Sequence, residues 1–333
     1  MMSKVAVLGG GSWGTTVATL ASQNAPTTLW VRDPALAESV GRDHENPVYL
    51  PGIRLPEDLE ATSEMHQAMA EADLVVMGVP SHGFRSVLEE AAAHLRPSVP
   101  ILSLAKGLEE SSLLRMTQII QAQLPGHPFG VLTGPNLAGE IMAGQAAASV
   151  VAMSDPALAP EIQSVFASGL YRIYINTDVI GCEIGGALKN VIAIAAGMGD
   201  GVGVGDNTKA AVITRGLAEL TRLGIAMGAE AQTLAGLAGM GDLVATCTSP
   251  RSRNRHVGEQ LGKGRTTREI VDEMRMVAEG VKTSRVVMEL AQRYDVEMPI
   301  AREVHAAVHG GRTALQAYRG LVRTQAGRED EPG

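Results

Sequence analysis

The 333-residue sequence has few aromatic residues, few cysteines and no excess of positive charge. Two Trp, five Tyr and three Phe leave no stacking platform for nucleic-acid bases. A formal net charge of −8 opposes binding to an extended polyanion, so any anionic ligand must be held locally. The two cysteines, Cys182 and Cys247, lack the C-x-x-C spacing of a thiolate zinc site and are too few for a disulfide framework. We expect both to be buried free thiols, and we expect no metal site and no nucleic-acid partner.

Membrane and export signals are also missing from the sequence. No apolar run approaches the length of about 20 residues that spans a bilayer, and no charged leader precedes the first apolar strand. We therefore expect a cytoplasmic protein with no membrane partner. The hydrophobic content of 45% is sufficient for two cores, which must be mainly aliphatic because aromatics are scarce.

The first half of the chain alternates short β-rich runs with amphipathic segments, which is typical of a parallel, doubly wound sheet. Such a sheet binds its ligands at the carboxyl ends of its strands. Two of the predicted helices cover residues 83–95 and 111–124. The predicted strands cover residues 5–8, 28–31, 74–79, 101–104, 131–133, 149–153 and 172–175.

From about residue 178 the strand signal stops and helical patterns replace it. The glycine-rich runs GDGVGVGDN (199–207) and GLAGMGD (236–242) are predicted to be loops, the first of them a flexible helix connector. The predicted helices cover residues 179–197, 207–227, 257–261, 267–274, 283–294 and 300–308. The fold class is therefore α/β, with a Rossmann-type domain at 1–177, an all-helical domain at 178–326 and a disordered tail at 327–333.

A G-x-G-x-x-G pattern, Gly9, Gly11 and Gly14, follows the first predicted strand and opens a helix. In this context the first glycine permits the tight turn, the second lets a pyrophosphate approach the backbone, and the third lets helix and strand pack closely. The free amides at the helix N-terminus would then receive the negative charge. The pattern predicts a nicotinamide dinucleotide cofactor; the alternative is a glycine-rich turn with no ligand.

The end of the second predicted strand bears on the choice between NADPH and NADH. Arg32 could hold the 2′-phosphate of NADPH, whereas Asp33 comes one residue late for a ribose contact and precedes Pro34. Asp33 could equally cap the next helix. We expect NADPH to be accepted, with NADH as the alternative.

Lys189 and Asn190 are the only polar residues in GGALKNVIAIAAG (185–197). A lysine in an apolar helix either pairs with an acid or gives up its proton readily, because an unpaired buried charge is costly. A lysine of the second kind can accept the proton of an alcohol during dehydrogenation. The alternative places Lys189 at a helix edge from which its stem reaches water.

Three further features are candidates for binding a small anion. Lys106 follows a predicted strand, where the alternative is a surface lysine. The segment TSPRSRNR (248–255) precedes a predicted helix and could bind phosphate, or could be a solvated basic loop. Asp242 closes a glycine-rich run and could orient the lysine, bind a substrate hydroxyl, or simply cap a turn.

These residues resemble, over nearly the whole chain, the NAD(P)-dependent glycerol-3-phosphate dehydrogenases of the bacterial soluble type. The resemblance implies a C-terminal domain like that of 6-phosphogluconate dehydrogenase, reversible reduction of dihydroxyacetone phosphate to sn-glycerol 3-phosphate for phospholipid synthesis, and a homodimer. The motifs that carry it are GGGSWGT, YLPG, VPSH, KGLE, TGPN, GGALKNVIAIAAGMGDG, ITRGLAEL, GMGDLVATCTSPRSRNR, AEGVKT and EMPI.

The resemblance also implies roles for individual residues, with Lys189 as the proton acceptor. Thr246 lies where related enzymes keep a substrate-side threonine. The implied cofactor contacts, beside the three glycines, are Ser12, Trp13, Arg32, Tyr49, Lys106, Ala138, Arg253, Val277 and Glu279. The implied substrate contacts are Lys106, Gly134, Asn136, Lys189, Asp242, Ser252, Arg253 and Asn254.

Two positions depart from the family pattern. Asn136 stands where Ser or Thr is common, and we expect its contact to survive in altered geometry because an amide also donates and accepts. Ala278 replaces a commoner Val, without an evident chemical consequence.

Two other functions fit the same architecture. One is a dehydrogenase of a 3-hydroxy acid or a phosphosugar acid, since fold does not determine substrate. The other is a non-catalytic NAD(P)H sensor, which would not need Lys189 as a proton carrier.

Overall fold

The computed structural model describes residues 2–274 and 278–323 and divides into two compact units. Within the described residues, the first unit comprises 2–105 and 115–179, and the second comprises 106–114 and everything from residue 180 onward. The segment 106–114, which the sequence-based division placed in the first domain, lies with the second unit because Leu108 belongs to that unit's core. The predicted domain boundaries at 177 and 326 remain predictions, and the predicted disordered tail lies outside the described residues.

The strands of the first unit form one eight-stranded sheet and a separate two-stranded hairpin. The sheet has the order β10-β9-β8-β7-β6-β1-β2-β5, and β3 pairs with β4. The strands are β1 (Val5–Leu8), β2 (Thr27–Trp30), β3 (Glu45–Asn46), β4 (Leu50–Arg54), β5 (Glu60–Thr62), β6 (Leu74–Met77), β7 (Ile101–Ser103), β8 (Phe129–Thr133), β9 (Ala147–Met153) and β10 (Tyr171–Asn176).

The helices of the first unit connect these strands, and those of the second unit make up almost all of its regular structure. The helices are α1 (Ser12–Ser22), α2 (Pro34–Glu38), α3 (Met65–Met69), α4 (Ser81–Ala92), α5 (Met116–Gln123), α6 (Ala138–Met142), α7 (Ala159–Phe166), α8 (Val179–Val202), α9 (Asp206–Ala226), α10 (Ala231–Leu234), α11 (Asp242–Thr248), α12 (Arg253–Gly262), α13 (Thr267–Glu273), α14 (Glu279–Arg293), α15 (Pro299–His309) and α16 (Ala314–Arg323).

The sheet confirms the Rossmann-type prediction, with β1 between β2 and β6. Val5 lies opposite Thr27 on one side and Leu74 on the other, in parallel register. Every residue of β1, β2 and β6 is buried, as expected where helices cover both faces of a parallel sheet.

One part of the sheet corrects the prediction of a wholly parallel arrangement. β9 runs antiparallel to β8, with Val131 opposite Ala152, and β10 is parallel to β9. The only helix between β8 and β9 is the five-residue α6, which rises about 7.5 Å, whereas five strand residues span about 17 Å. A parallel return usually carries a full crossover helix, and α6 is too short to serve as one, so the chain reverses instead.

Other boundaries also differ from the sequence-based expectation. The strands β3, β4 and β5 were missed because they are only 2–5 residues long and carry polar or turn-forming residues. The helix predicted from residue 111 begins at Met116, since Leu113 has a φ of 62° and interrupts the helix. At the start of α5 the Gln118 side chain accepts a hydrogen bond from the backbone N–H of the N-cap residue Arg115 at 3.0 Å.

The second unit is built around α8, whose residues 181–199 are all buried. Among the described residues, α8 is long and apolar enough to cross a membrane, but 89% of its apolar window is buried inside the protein. A helix of this length and hydropathy was not expected from the sequence, but α8 continues past Lys189 and through the glycines that follow it. Its burial is that of a core helix.

Both glycine-rich runs are more helical than predicted. α8 extends to Val202, so the connector to α9 is only 203–205. In the second run a π-helix, Leu237–Gly241, leads directly into α11. The glycines here mostly permit close packing: a Cβ on Gly197 would lie 1.9 Å from the carbonyl oxygen of Arg255. Both cysteines are buried thiols outside any disulfide, as expected.

Candidate active site

The G-x-G-x-x-G loop lies between β1 and α1, as predicted. Gly9 has a φ of 123°, and a Cβ there would lie 2.6 Å from the carbonyl oxygen of Gly78. A Cβ on Gly14 would lie 2.0 Å from the carbonyl oxygen of Gly9, whereas one on Gly11 would meet nothing within 4 Å. Gly9 and Gly14 thus allow the turn and its packing. Gly11 leaves open space at the helix N-terminus, where a pyrophosphate fits.

The first turn of α1 also suits an anion. It contains no acidic residue, so no carboxylate competes with a phosphate for the positive end of the helix dipole. Trp13 lies in this turn and packs edge-to-face on Tyr171, with ring centroids 6.4 Å apart. Ser12 is the first residue of the helix.

At the end of β2, Arg32 and Asp33 make different contacts. Asp33 accepts a hydrogen bond from the backbone N–H of Ala35 at 2.9 Å and caps α2, which confirms the capping interpretation. Arg32 is exposed, and its guanidinium carbon lies 6.0 Å from the centre of the Trp30 ring. Its charge is therefore available beside the strand end.

Three other predicted contact residues follow β8. Gly134 has a φ of 131°, and a Cβ there would lie 3.0 Å from the Cα of Ser149. The Asn136 side chain is buried and donates to the Ser149 hydroxyl at 3.5 Å, and Tyr171 donates to the same hydroxyl at 2.6 Å. Ala138 is the first residue of α6. All three lie past the carboxyl end of a sheet strand, where this fold binds ligands.

In the second unit, Lys189 lies on α8 and its side chain is only 6% exposed. Its Nζ donates to Asp242 Oδ1 at 2.7 Å and to the Thr246 hydroxyl. Asp242 and Thr246 belong to α11, one turn apart, so both face Lys189. The structure rejects the helix-edge alternative and places this lysine in a buried pair with an acid.

Lys106 shares the same carboxylate. Its Nζ lies 2.8 Å from Asp242 Oδ2. Desolvation by burial lowers the pKa of Lys106 to about 8, although attraction to Asp242 opposes the shift. Two amino groups thus flank one carboxylate. This excess of basic groups suits the cluster to binding a small anion.

A chain of side-chain amides holds this cluster. Asn190 Nδ2 donates to the Lys106 carbonyl oxygen at 2.8 Å, and Asn254 Nδ2 donates to Asn190 Oδ1 at 2.8 Å. The Gly280 N–H donates to Asn254 Oδ1 at 2.9 Å. The chain ties Lys106 and α8 to the N-terminal turns of α12 and α14. No role was assigned to Asn190 from the sequence, although its polarity in an apolar run was the available signal.

α12 begins at Arg253, inside the basic segment 248–255 and four residues before the predicted helix start at residue 257. Ser252 is the N-cap and accepts from the Arg255 N–H at 3.2 Å. Arg253 is exposed at the first helical position, and Asn254 beside it is buried. Glu279 is the first residue of α14. Cationic side chains and helix N-terminal amides together form a suitable phosphate site.

The structure therefore distributes the predicted residues over the two units. The first unit contains the three glycines with Ser12, Trp13, Arg32, Tyr49, Gly134, Asn136 and Ala138, and the second contains Lys106, Lys189, Asp242, Thr246, Ser252, Arg253, Asn254 and Glu279. Val277 lies outside the described residues. Within the described part of the chain, no group of three or more His, Cys, Asp and Glu could hold a metal ion.

A Rossmann-type sheet with a dinucleotide loop, followed by a helical unit with a buried lysine–aspartate cluster, defines the class of two-domain nicotinamide-dependent dehydrogenases. Two family descriptions match the chain: "NAD-dependent glycerol-3-phosphate dehydrogenase N-terminus" over residues 4–159 and the corresponding "C-terminus" over residues 178–319. The chain belongs to the NAD-dependent glycerol-3-phosphate dehydrogenase family.

Individual relatives agree with this assignment. The chain is 61% identical over 333 residues to glycerol-3-phosphate dehydrogenase [NAD(P)+] 2 of Sphingopyxis alaskensis, covering 100% of both chains. It is 53% identical over 327 residues to the enzyme of Mycobacterium avium, covering 98% of this chain and 96% of that one. The crystal structure of glycerol-3-phosphate dehydrogenase from Coxiella burnetii superposes with a TM-score of 0.92 at 33% identity, over 97% of this chain and 99% of that chain. The resemblance inferred from the motifs is confirmed.

Proposed function

We propose that the protein catalyses the reversible, NAD(P)-dependent reduction of dihydroxyacetone phosphate to sn-glycerol 3-phosphate. The observation that carries the proposal is the buried Lys189–Asp242–Lys106 cluster in a member of this family. Bound NADPH or NADH supplies the hydride. The residues of the chain must then bind the phosphate, hold the carbonyl oxygen and supply one proton to it.

Lys189 is the proposed acid/base. As the alcohol forms, its ammonium gives a proton to the substrate oxygen, and in the reverse direction its neutral amine accepts the hydroxyl proton. Asp242 and Thr246 hold the amino group in place. Lys106 adds a second positive group beside the same carboxylate, which favours developing negative charge on the oxygen.

The proposed phosphate site is the N-terminus of α12, with Ser252, Arg253 and Asn254. A guanidinium and the amides of a helix N-terminus bind a phosphate with charge-assisted hydrogen bonds. Gly134 and Asn136 are proposed as substrate contacts from the first unit, and Arg253 and Glu279 also as cofactor contacts.

The cofactor residues of the first unit are proposed from the same match. The three glycines and the start of α1 would receive the pyrophosphate, and Trp13, Tyr49 and Ala138 would line the dinucleotide. Arg32 is exposed at the end of β2, which supports binding of the NADPH 2′-phosphate. A homodimer, a cytoplasmic location and supply of glycerol 3-phosphate to phospholipid synthesis complete the proposal.

The test is the oxidation of NADPH by purified protein with dihydroxyacetone phosphate. Parallel reactions contain NADH in place of NADPH, or dihydroxyacetone without phosphate. We expect rapid oxidation that requires the phosphate. Activity on 3-hydroxy acids with none on dihydroxyacetone phosphate would contradict the substrate assignment, and cofactor binding without turnover on either would favour the sensor function.

A further inference from the structure

Asn46 is a buried polar residue of the first unit that lies outside the family-derived site. It belongs to β3 and its side chain is fully buried, with 0% exposed. Its Nδ2 donates to the Gly10 carbonyl oxygen and to the Thr15 hydroxyl, both at 2.9 Å. Its Oδ1 accepts from the Tyr49 N–H at 3.0 Å. One carboxamide thus joins the glycine loop, the first turn of α1 and the β3–β4 hairpin.

The bond to Gly10 determines how the loop presents its next amide. The Gly10 carbonyl and the Gly11 N–H belong to one planar trans peptide, so they point in opposite directions. When Asn46 holds the Gly10 oxygen, the Gly11 N–H is turned away from Asn46. The space at the Gly11 Cα is open, with nothing within 4 Å of an ideal Cβ.

The packing around Gly10 leaves its Cα little room to move. A Cβ on Gly10 would lie 2.8 Å from a methyl group of Val31, so the loop packs closely on the residue that follows β2. The remaining variable is the rotation of the Gly10–Gly11 peptide. A buried donor on one side of that peptide removes this freedom, because an unpaired buried carbonyl is costly.

The bond to Tyr49 connects the same side chain to a second proposed cofactor contact. Tyr49 is half-buried and packs on the first unit's core. Its backbone N–H is held by the amide that also holds the glycine loop.

We propose that Asn46 is a positioning residue for the dinucleotide, which orients the Gly10–Gly11 peptide and places Tyr49 relative to it. This inference rests on the proposed use of NAD(P). Only a carboxamide can donate to Gly10 and Thr15 while accepting from Tyr49. An aspartate of the same shape would set carboxylate oxygen against carbonyl oxygen and add negative charge near the pyrophosphate.

The experiment compares Asn46→Asp with wild-type protein in NADPH titrations followed by nucleotide fluorescence, without substrate. We expect the Kd of Asn46→Asp for NADPH to rise about ten- to hundredfold. The variant loses one to two hydrogen bonds that the carboxamide donates, and a loss of that size corresponds to this range. The kcat at saturating NADPH should stay within about threefold of wild type, because the lysine cluster is unchanged.

Asn24→Asp is the matched control for a structural effect. Asn24 lies in the same unit, and its Nδ2 donates to the carbonyl oxygens of Val165 and Ala167, both at 3.0 Å. It should lower the melting temperature without changing the NADPH Kd. If both variants lose stability and neither changes the Kd by more than about twofold, Asn46 is structural and the inference is wrong.

Thr15 provides a second variant pair in case Asn46→Asp does not fold. Thr15→Val removes one acceptor and should weaken NADPH binding by about two- to fivefold, whereas Thr15→Ser keeps the hydroxyl and should bind as wild type. Equal Kd values for the two variants would overturn the inference. Failure of wild-type protein to bind NADPH would instead contradict the proposed function.

Discussion

At the scale of single residues, the chemistry of the second unit depends on one carboxylate shared by two amino groups. Asp242 meets Lys189 through Oδ1 and Lys106 through Oδ2, at 2.7 and 2.8 Å. Its side chain is 3% exposed, so removal of either lysine changes the charge balance of a desolvated site. The two lysines are therefore expected to differ in function: Lys189 as acid/base and Lys106 as an electrostatic partner.

Lys189→Ala should reduce kcat for dihydroxyacetone phosphate about 10²-fold or more, the usual loss when an acid/base group is removed. NADPH binding should be largely retained, because the glycine loop belongs to the first unit. The measurement is steady-state kinetics with a parallel NADPH titration.

Lys263→Ala is the control for this substitution. Lys263 is an exposed lysine that pairs with Glu259 at the end of α12, so its removal should leave kcat unchanged. Intact turnover in Lys189→Ala would remove the acid/base assignment.

The lowered pKa of Lys106 predicts a pH dependence of substrate capture. Its pKa is about 8, so Lys106 is cationic below that pH and becomes neutral above it. Loss of this charge weakens attraction for an anion, so kcat/KM should fall as pH rises above about 8, by up to about tenfold per unit. Lys106→Arg should abolish the decline, because a guanidinium remains charged throughout this range. A flat wild-type profile from about pH 7 to 9.5 would contradict the assignment.

At the scale of secondary-structure elements, glycines bring α8 and α12 into backbone contact. A Cβ on Gly258 of α12 would lie 2.0 Å from the Ile194 carbonyl oxygen of α8, and one on Gly201 of α8 would lie 2.2 Å from the Glu259 carbonyl oxygen of α12. This close approach sets the distance between Asn190 on α8 and Asn254 on α12.

Gly258→Ala should therefore separate the two helices. We expect a loss of about 2–3 kcal/mol of unfolding free energy, typical of overpacking, and a higher KM for dihydroxyacetone phosphate. Urea denaturation and kinetics measure the two effects. Gly83→Ala in α4 is the control, since its Cβ would lie 3.4 Å from a Val79 methyl group. A neutral Gly258→Ala would show that the helices adjust freely.

A second element-scale prediction concerns Glu219, which joins α9 to α15. It is 1% exposed and accepts from the backbone N–H groups of Ile300 and Ala301, at 2.6 and 3.2 Å. Burial raises its pKa to about 7, although the two hydrogen bonds oppose the shift. The folded protein therefore binds this proton more tightly than the unfolded chain, and stability should fall as pH rises from about 4.5 to 7.

Glu219→Gln should remove this contribution to the pH dependence. Relative to the variant, wild-type protein should lose stability on the order of 1–3 kcal/mol between about pH 5 and 7.5. Urea denaturation at several pH values measures it, with Glu289→Gln as an exposed helical control. Parallel pH profiles for wild type and Glu219→Gln would disprove the assignment.

At the scale of the whole molecule, each unit has its own hydrophobic core. Residues such as Val5, Leu29 and Leu102 form the first core, and Leu188, Leu220 and Val286 belong to the second. Both tryptophans, Trp13 and Trp30, belong to the first unit. Tryptophan fluorescence therefore reports unfolding of the first unit, and far-UV circular dichroism mainly follows the helices of the second.

NADP+ at about 100 times its Kd should stabilise the first unit by about 2.7 kcal/mol. The fluorescence midpoint should then rise by roughly 5–10 °C for a unit of this size. The circular dichroism midpoint should rise less if the units unfold separately. An unchanged fluorescence midpoint at saturating NADP+ would place the cofactor outside the first unit.

The parts of the site that were predicted correctly depend on neighbours in the chain. The Gly9-x-Gly11-x-x-Gly14 turn follows from residues within a few positions of one another, whereas the start of α12 at Arg253 lies four residues before the predicted one. The direction of β9 and the short strands β3 to β5 were missed, since their pairing depends on how the chain returns rather than on local composition.

Sequence alone determined that this protein has a dinucleotide loop, a helical second half and a lysine in an apolar helix. It also identified the family, because those motifs are local and distinctive. Only the tertiary structure decided that Lys189 and Lys106 share Asp242, that Asn190 connects Lys106 to Asn254, and that Asn46 joins the glycine loop to Tyr49. The physical reason is that these contacts join residues far apart in the chain, and their distances depend on helix and strand packing that no local pattern contains.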